Sequence, residues 1–151
     1  MGLISILFDN PVIFILIIIS LTFALCVHEF SHGYIAYIYG DETAYRMGRL
    51  TLNPLAHLDP IGSMMILFVG FGWAKPVPVN PANFSNPRID MMKVAFAGPA
   101  SNLILAFLGG IILRFVNVTG FMIGETFIQI IYFFMYINIA LAVFNMLPVA
   151  P

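Results

Sequence analysis

An all-α polytopic membrane protein with three transmembrane helices is the fold class this sequence predicts. Two observations predict it. The chain is 61% hydrophobic and 9% charged, against about 25% charged for a typical soluble domain. Its charges are also segregated, leaving three long uncharged runs: 11–27, 94–113 and 126–147. Each is long enough, alone or with a helical extension, to cross a hydrocarbon layer of about 30 Å. At 151 residues the chain is expected to form one domain, spanning 1–151.

The first helix is expected over 11–39. Asn10-Pro11 is a helix start, because proline at the first helical position lacks only an N–H that would have no partner there. The apolar pattern runs to Tyr39, and Gly40 stops it. These 29 residues give roughly 43 Å of helix, which requires tilt or an overhang. No basic n-region or small-x-small cleavage site precedes it, so this segment is expected to stay in the mature protein.

The residues after Gly40 are polar. The run Arg46-Met47-Gly48-Arg49-Leu50-Thr51-Leu52-Asn53-Pro54 alternates weakly and predicts a short β-hairpin or edge between the first and second spans. Such an edge is one way to hold a peptide in extended form; a plain connecting loop fits equally. Residues 60–74 are uncharged but short and interrupted by Gly62, Gly70 and Gly72. They predict a re-entrant or interfacial segment with Trp73 at headgroup level. The prolines of Lys75-Pro76-Val77-Pro78-Val79-Asn80-Pro81 force an extended path. The second span is expected over 92–115 and the third over 125–147.

Five of the six basic residues (Arg46, Arg49, Lys75, Arg88, Lys93) fall between the first and second spans. The positive-inside rule then places residues 40–93 and the C-terminus in the cytoplasm and the N-terminus outside. A net charge of -1 provides no basic field for nucleic acid. The single cysteine, Cys26, excludes an internal disulfide and a cysteine-based zinc cluster.

The chemistry is concentrated in His28-Glu29-Phe30-Ser31-His32. Two histidines at i and i+4 share one helix face, roughly 6 Å apart along the axis. Both can reach one metal ion through neutral imidazole nitrogens. Glu29 then stands beside the metal, where a carboxylate can take a proton from water and deliver it to a leaving amine. Solvated polar residues on an ordinary helix face would be the bland explanation. The apolar surroundings (Leu25, Cys26, Val27, Tyr34, Ile35) argue against it, since ionisable groups in such a helix are costly and mark function. A catalytic zinc takes three protein ligands plus water. His57, Asp59, Asp90 and Glu125 are candidates for the third, as is a residue beyond Pro151.

Further motifs sharpen this reading: Asn53-Pro54-Leu55-Ala56-His57-Leu58-Asp59-Pro60-Ile61-Gly62, Gly72-Trp73-Ala74-Lys75-Pro76-Val77-Pro78-Val79-Asn80, Gly98-Pro99-Ala100-Ser101-Asn102 and Asn145-Met146-Leu147-Pro148. With His28–Gly33, they make the chain resemble the site-2 protease family of intramembrane zinc metalloproteases from about Phe23 to Pro151. The compact prokaryotic members are the most similar. The resemblance implies one Zn2+ per chain held by His28, His32 and a later Asp, with Glu29 as the base that activates water. That Asp belongs to a pattern starting N-x-x-P, matched by Asn145 and Pro148, and it is expected just beyond Pro151. The 151-residue chain is therefore expected to be truncated before its third ligand. This departure bears on the activity of this exact polypeptide and not on its family.

Asn145 and Asn102 are candidates to bind the substrate backbone or oxyanion, with helix–helix glue as the alternative. His57 is a candidate auxiliary residue near the active site. The implied function is hydrolysis of peptide bonds in transmembrane protein substrates, within the bilayer of a prokaryotic cell membrane, with the active site toward the cytoplasm. Two other readings are a catalytically inactive homologue that binds client helices and a small transporter using His and Glu as a proton path. The second does not explain the i, i+1, i+4 order.

Overall fold

The computed structural model describes residues 3–147. Six α-helices follow in order: α1 (Ile4–Asp9), α2 (Pro11–Ile38), α3 (Thr43–Arg46), α4 (Pro60–Val69), α5 (Pro87–Thr119) and α6 (Glu125–Met146). Three of them, α2, α5 and α6, are long and apolar enough to cross a membrane, and they pack mutually as a bundle. Their 28, 33 and 22 residues correspond to about 42, 50 and 33 Å of helix. α2 and α5 therefore overhang a hydrocarbon core of about 30 Å.

The expected start of the first long helix is formed. Asn10 caps α2 by accepting from the Ile13 N–H at 3.1 Å, with Pro11 at the first helical position. The bundle interior is built from small residues: Ala24, Gly33 and Ala36 on α2, Ala97, Gly98, Ala106 and Gly109 on α5, and Ala142 on α6 are buried. Large side chains such as Phe96, Phe107, Phe115 and Tyr136 point outward. This arrangement suits a bilayer, where association depends on close backbone approach rather than on hiding apolar surface from water.

Two expectations for the connecting region are corrected. The β-hairpin over 46–54 does not form. Among the described residues there is no strand, and the only pairing recorded between extended segments is an isolated bridge from Leu58 to Ala74. Instead α3 closes in a turn, with the Arg49 N–H bonded to the Ala44 carbonyl, and Pro54–Ala56 forms one turn of 3-10 helix. Alternation over so few residues competed with the local capping of Asn53, whose side chain accepts from the Leu55 N–H.

The re-entrant passage over 60–74 is likewise not supported. Pro60–Val69 is a regular helix, started by Asp59, which accepts from the Gly62 N–H at 2.8 Å, and closed by Gly70. The chain then doubles back in extended form along α4. Gly62 and Gly72 permit this, because a Cβ at Gly62 would overlap the Trp73 backbone and one at Gly72 would overlap the Gly62 carbonyl.

Asp41 organises the polar end of the bundle. It is wholly buried and accepts four hydrogen bonds, from the Thr43 N–H and hydroxyl, the Asn80 N–H and the Asn83 amide. These bonds fasten the extended segment 75–80 and the turn Pro81–Asn83 to the end of α2. Burial pushes the Asp41 pKa up, but the bonds from Thr43, Asn80 and Asn83 outweigh it and hold the carboxyl below its ordinary 3.8. Because the folded value is depressed, Asp41 contributes its stabilisation above pH 3.8 and loses it as pH falls through the folded value. Thermal unfolding in detergent is expected to show Asp41→Ala destabilised by about 3 kcal/mol at neutral pH. The wild-type advantage over Asp41→Asn should shrink below about pH 4; an advantage that grows on acidification contradicts this assignment.

Candidate metal centre

His28 and His32 lie one turn apart on the inner face of α2, and their Nε2 atoms approach to 3.0 Å. Each ring is held from behind. The His32 Nδ1 donates to the Val94 carbonyl on α5 at 2.7 Å. The His28 Nδ1 donates to the Asn102 side-chain oxygen, also on α5. Both acceptors are oxygens without a proton to give, so both Nδ1 atoms carry the hydrogen. With both rings neutral, both Nε2 atoms are left with bare lone pairs.

Two such lone pairs facing each other at 3.0 Å repel unless a cation lies across them. Two imidazole nitrogens on one tetrahedral zinc, at bond lengths of about 2.0–2.1 Å, would stand about 3.3 Å apart. The pair therefore fits a metal. Gly98 adds to the fit: its ideal Cβ would fall 2.6 Å from the His28 Cε1 and overlap both Nε2 atoms. Only glycine there lets α5 come this close to the pair. Among the described residues, no group of three or more His, Cys, Asp or Glu comes together. The third ligand expected after the Asn145–Pro148 motif, like Pro148 itself, falls outside the described residues.

Glu29 follows His28 on α2. Its Oε2 accepts from the Val77 backbone N–H at 2.9 Å. Val77 belongs to the extended segment 75–80, which crosses α2 at this level as a strap. Its side chain is buried against Gly33. The strap is pinned on both sides: the Lys75 N–H donates to the His57 carbonyl, and Arg49 donates to the carbonyls of Lys75 and Pro76. Pro76 and Pro78 have no N–H, so within residues 76–78 Val77 alone can donate from its backbone.

The remaining sequence candidates fall into different surroundings. Asn102 is wholly buried and sits directly behind His28. His57 is almost fully buried, and its Nε2 donates to the Thr51 carbonyl at 2.7 Å, while its Nδ1 has no partner. It touches the site through its carbonyl, which holds the strap. Asn145 is exposed on α6, and its amide donates to the Leu141 carbonyl one turn back. Asp59 caps α4 and Asp90 pairs with Lys93. Asn138 was not among the sequence candidates, yet it is wholly buried and accepts from Asn102 at 2.8 Å. Its signal was present: an amide in the middle of an apolar span is costly unless it has a partner.

Comparison with known proteins adds a second line of support. "Putative zinc metalloprotease YwhC" of Bacillus subtilis (strain 168) is 44% identical over 139 residues, covering 89% of this chain and 64% of the relative. "Putative zinc metalloprotease Rip2" of Mycolicibacterium smegmatis is 36% identical over 101 residues, covering 64% of this chain and 39% of the relative. The protein of the same name in Mycobacterium tuberculosis (strain ATCC 25618 / H37Rv) is 32% identical over 102 residues, with the same coverage. The chain thus spans less than two thirds of the length of the curated relatives it matches. No protein-family profile and no solved structure matches it.

The full-length protein, titrated with zinc in detergent, is expected to lose binding in His28→Ala and in His32→Ala. Asn102→Leu should weaken it about 10–100-fold by freeing the His28 ring. Gly98→Ala should weaken it comparably, because its Cβ would overlap both Nε2 atoms. Unchanged zinc affinity in Gly98→Ala would contradict a metal at this position.

Proposed function

We propose, from its similarity to these zinc metalloproteases, that the chain is the core of an intramembrane zinc metalloendopeptidase of the site-2 protease type. The observation that carries the reading is the pair of lone-paired Nε2 atoms on α2, beside a carboxylate, inside a bundle of three membrane-length helices.

His28 and His32 would hold one zinc ion per chain, with the Asp expected beyond Pro151 as third ligand. When bound, zinc supplies Lewis-acid polarisation of the scissile carbonyl. Glu29 takes the proton of the attacking water and passes it to the departing amide nitrogen. The Val77 N–H holds one carboxylate oxygen, which leaves the other for water and fixes where it points. Asn102 and the Val94 carbonyl keep the two rings in the tautomer that leaves Nε2 free. Tight packing of α5 at Gly98 limits water around the pair, so charges there act at short range in a low dielectric.

The substrate in this reading is a transmembrane segment of another protein, unwound locally. A helix keeps its carbonyls in i to i−4 bonds, whereas an extended stretch presents them. Residues 40–93 and the C-terminus would lie in the cytoplasm, following the basic residues, with the metal centre toward that face of the cell membrane. Asn145, exposed on α6, is the candidate for contact with substrate, and His57, buried and bonded to the Thr51 carbonyl, is an auxiliary residue that holds the strap.

The test is cleavage of a reconstituted transmembrane substrate by the full-length protein. Glu29→Gln is expected to lower the rate by about 10²–10⁴-fold while keeping zinc at wild-type stoichiometry. A chelator such as 1,10-phenanthroline should abolish cleavage, and zinc should restore it. Cleavage by Glu29→Gln at the wild-type rate would sink the assignment of the base.

A further inference from the structure

We infer that Asn138 on α6 is a positioning residue for the metal centre: through Asn102 it dictates which ring nitrogen of His28 carries the proton, and so which one is free for a ligand. The inference rests on the metal-site reading above and extends it to a third helix.

Each link in the relay is directional. The Asn138 Nδ2 donates to the Phe134 carbonyl, one turn back on its own helix, at 2.8 Å. That commits the donor end of the amide and turns its oxygen toward α5. The oxygen accepts from the Asn102 Nδ2 at 2.8 Å. The same Nδ2 reaches the Ala24 carbonyl on α2 at 3.3 Å. With its nitrogen so engaged, Asn102 presents oxygen to the His28 Nδ1. Oxygen can only accept, so the ring hydrogen sits on Nδ1 and the lone pair on Nε2.

Burial makes this order compulsory. Asn138 and Asn102 are wholly buried, and His28 is 4% exposed, so water does not substitute for a missing partner. Reversing the Asn102 amide alone would set its oxygen against the Asn138 oxygen. Reversing both would set the Asn138 oxygen against the Phe134 carbonyl. Each reversal leaves buried groups unpaired, which is unfavourable. A helix-packing role for Asn138 would need only some polar contact across α5 and α6; it would not need this polarity. The other two histidines provide internal references. His32 bonds a carbonyl through Nδ1 and His57 bonds one through Nε2, so opposite tautomers are expected for them.

The experiment is imidazole 15N NMR on metal-free, full-length protein in lipid nanodiscs, with zinc affinity measured in parallel. Wild type should show His28 and His32 as the Nδ1–H tautomer and His57 as Nε2–H. Asn138→Leu should move His28 toward Nε2–H, leave His32 and His57 unchanged and weaken zinc about 10–100-fold. Asn138→Asp retains an acceptor facing Asn102, so it should keep the wild-type His28 signal. Should the leucine variant not fold, as judged by the His32 and His57 signals, Asn138→Ala reads the same quantity. An Nε2–H tautomer at His28 in the wild type overturns the proposal. So does an unchanged His28 tautomer in a folded variant lacking the acceptor. Because the tautomer is read without metal or substrate, a protein that fails to cleave leaves this result standing on its own.

Discussion

The rest of this structure is arranged around two imidazole nitrogens whose lone pairs face each other across 3.0 Å. Left alone, they repel. They are held there because each ring is hydrogen-bonded from behind by an oxygen on α5, the Asn102 side-chain oxygen or the Val94 carbonyl. The consequence is a site prepared for a cation, built into helices that provide few other polar partners. Close approach of α5 is a condition of that geometry, and Gly98 is what permits it.

A second constraint follows from the membrane. Polar side chains inside a three-helix bundle must find one another, because lipid does not satisfy them. His28, Asn102 and Asn138 do so in series, joining α2, α5 and α6 through one line of hydrogen bonds. The same bonds that tie the helices together orient the His28 ring, so here the packing of the bundle and the preparation of the candidate site are one arrangement. The strap over 75–80 performs the matching task for Glu29. It is extended because its prolines forbid a helix, it is fixed at the far end by Asp41, and it offers its single central N–H to the carboxylate.

What was legible in the sequence was local. The three long helices follow from uncharged runs, and the start of α2 from Asn10-Pro11. The pairing of His28 with His32 follows from helical periodicity alone, since i and i+4 share a face whatever the helix packs against. The hairpin and the re-entrant segment do not form in the connection between the first and second spans, where short alternating or interrupted runs carry little information. There the outcome was set by caps (Asn53, Asp59) and by the close passage of Trp73 over Gly62, which no local pattern announces.

The sequence by itself determined that this is a helical membrane protein with a histidine pair and an adjacent carboxylate on one helix, because those properties depend on composition and on spacing within one turn. Only the tertiary structure decided how the pair is used. The tautomer of His28 depends on Asn102, 74 residues away, and the orientation of Asn102 on Asn138, a further 36 residues on. The aim of Glu29 depends on Val77, 48 residues distant. Contacts at such separations arise from the packing of whole helices, and a linear sequence shows the polar residues that need partners without showing which partners they take.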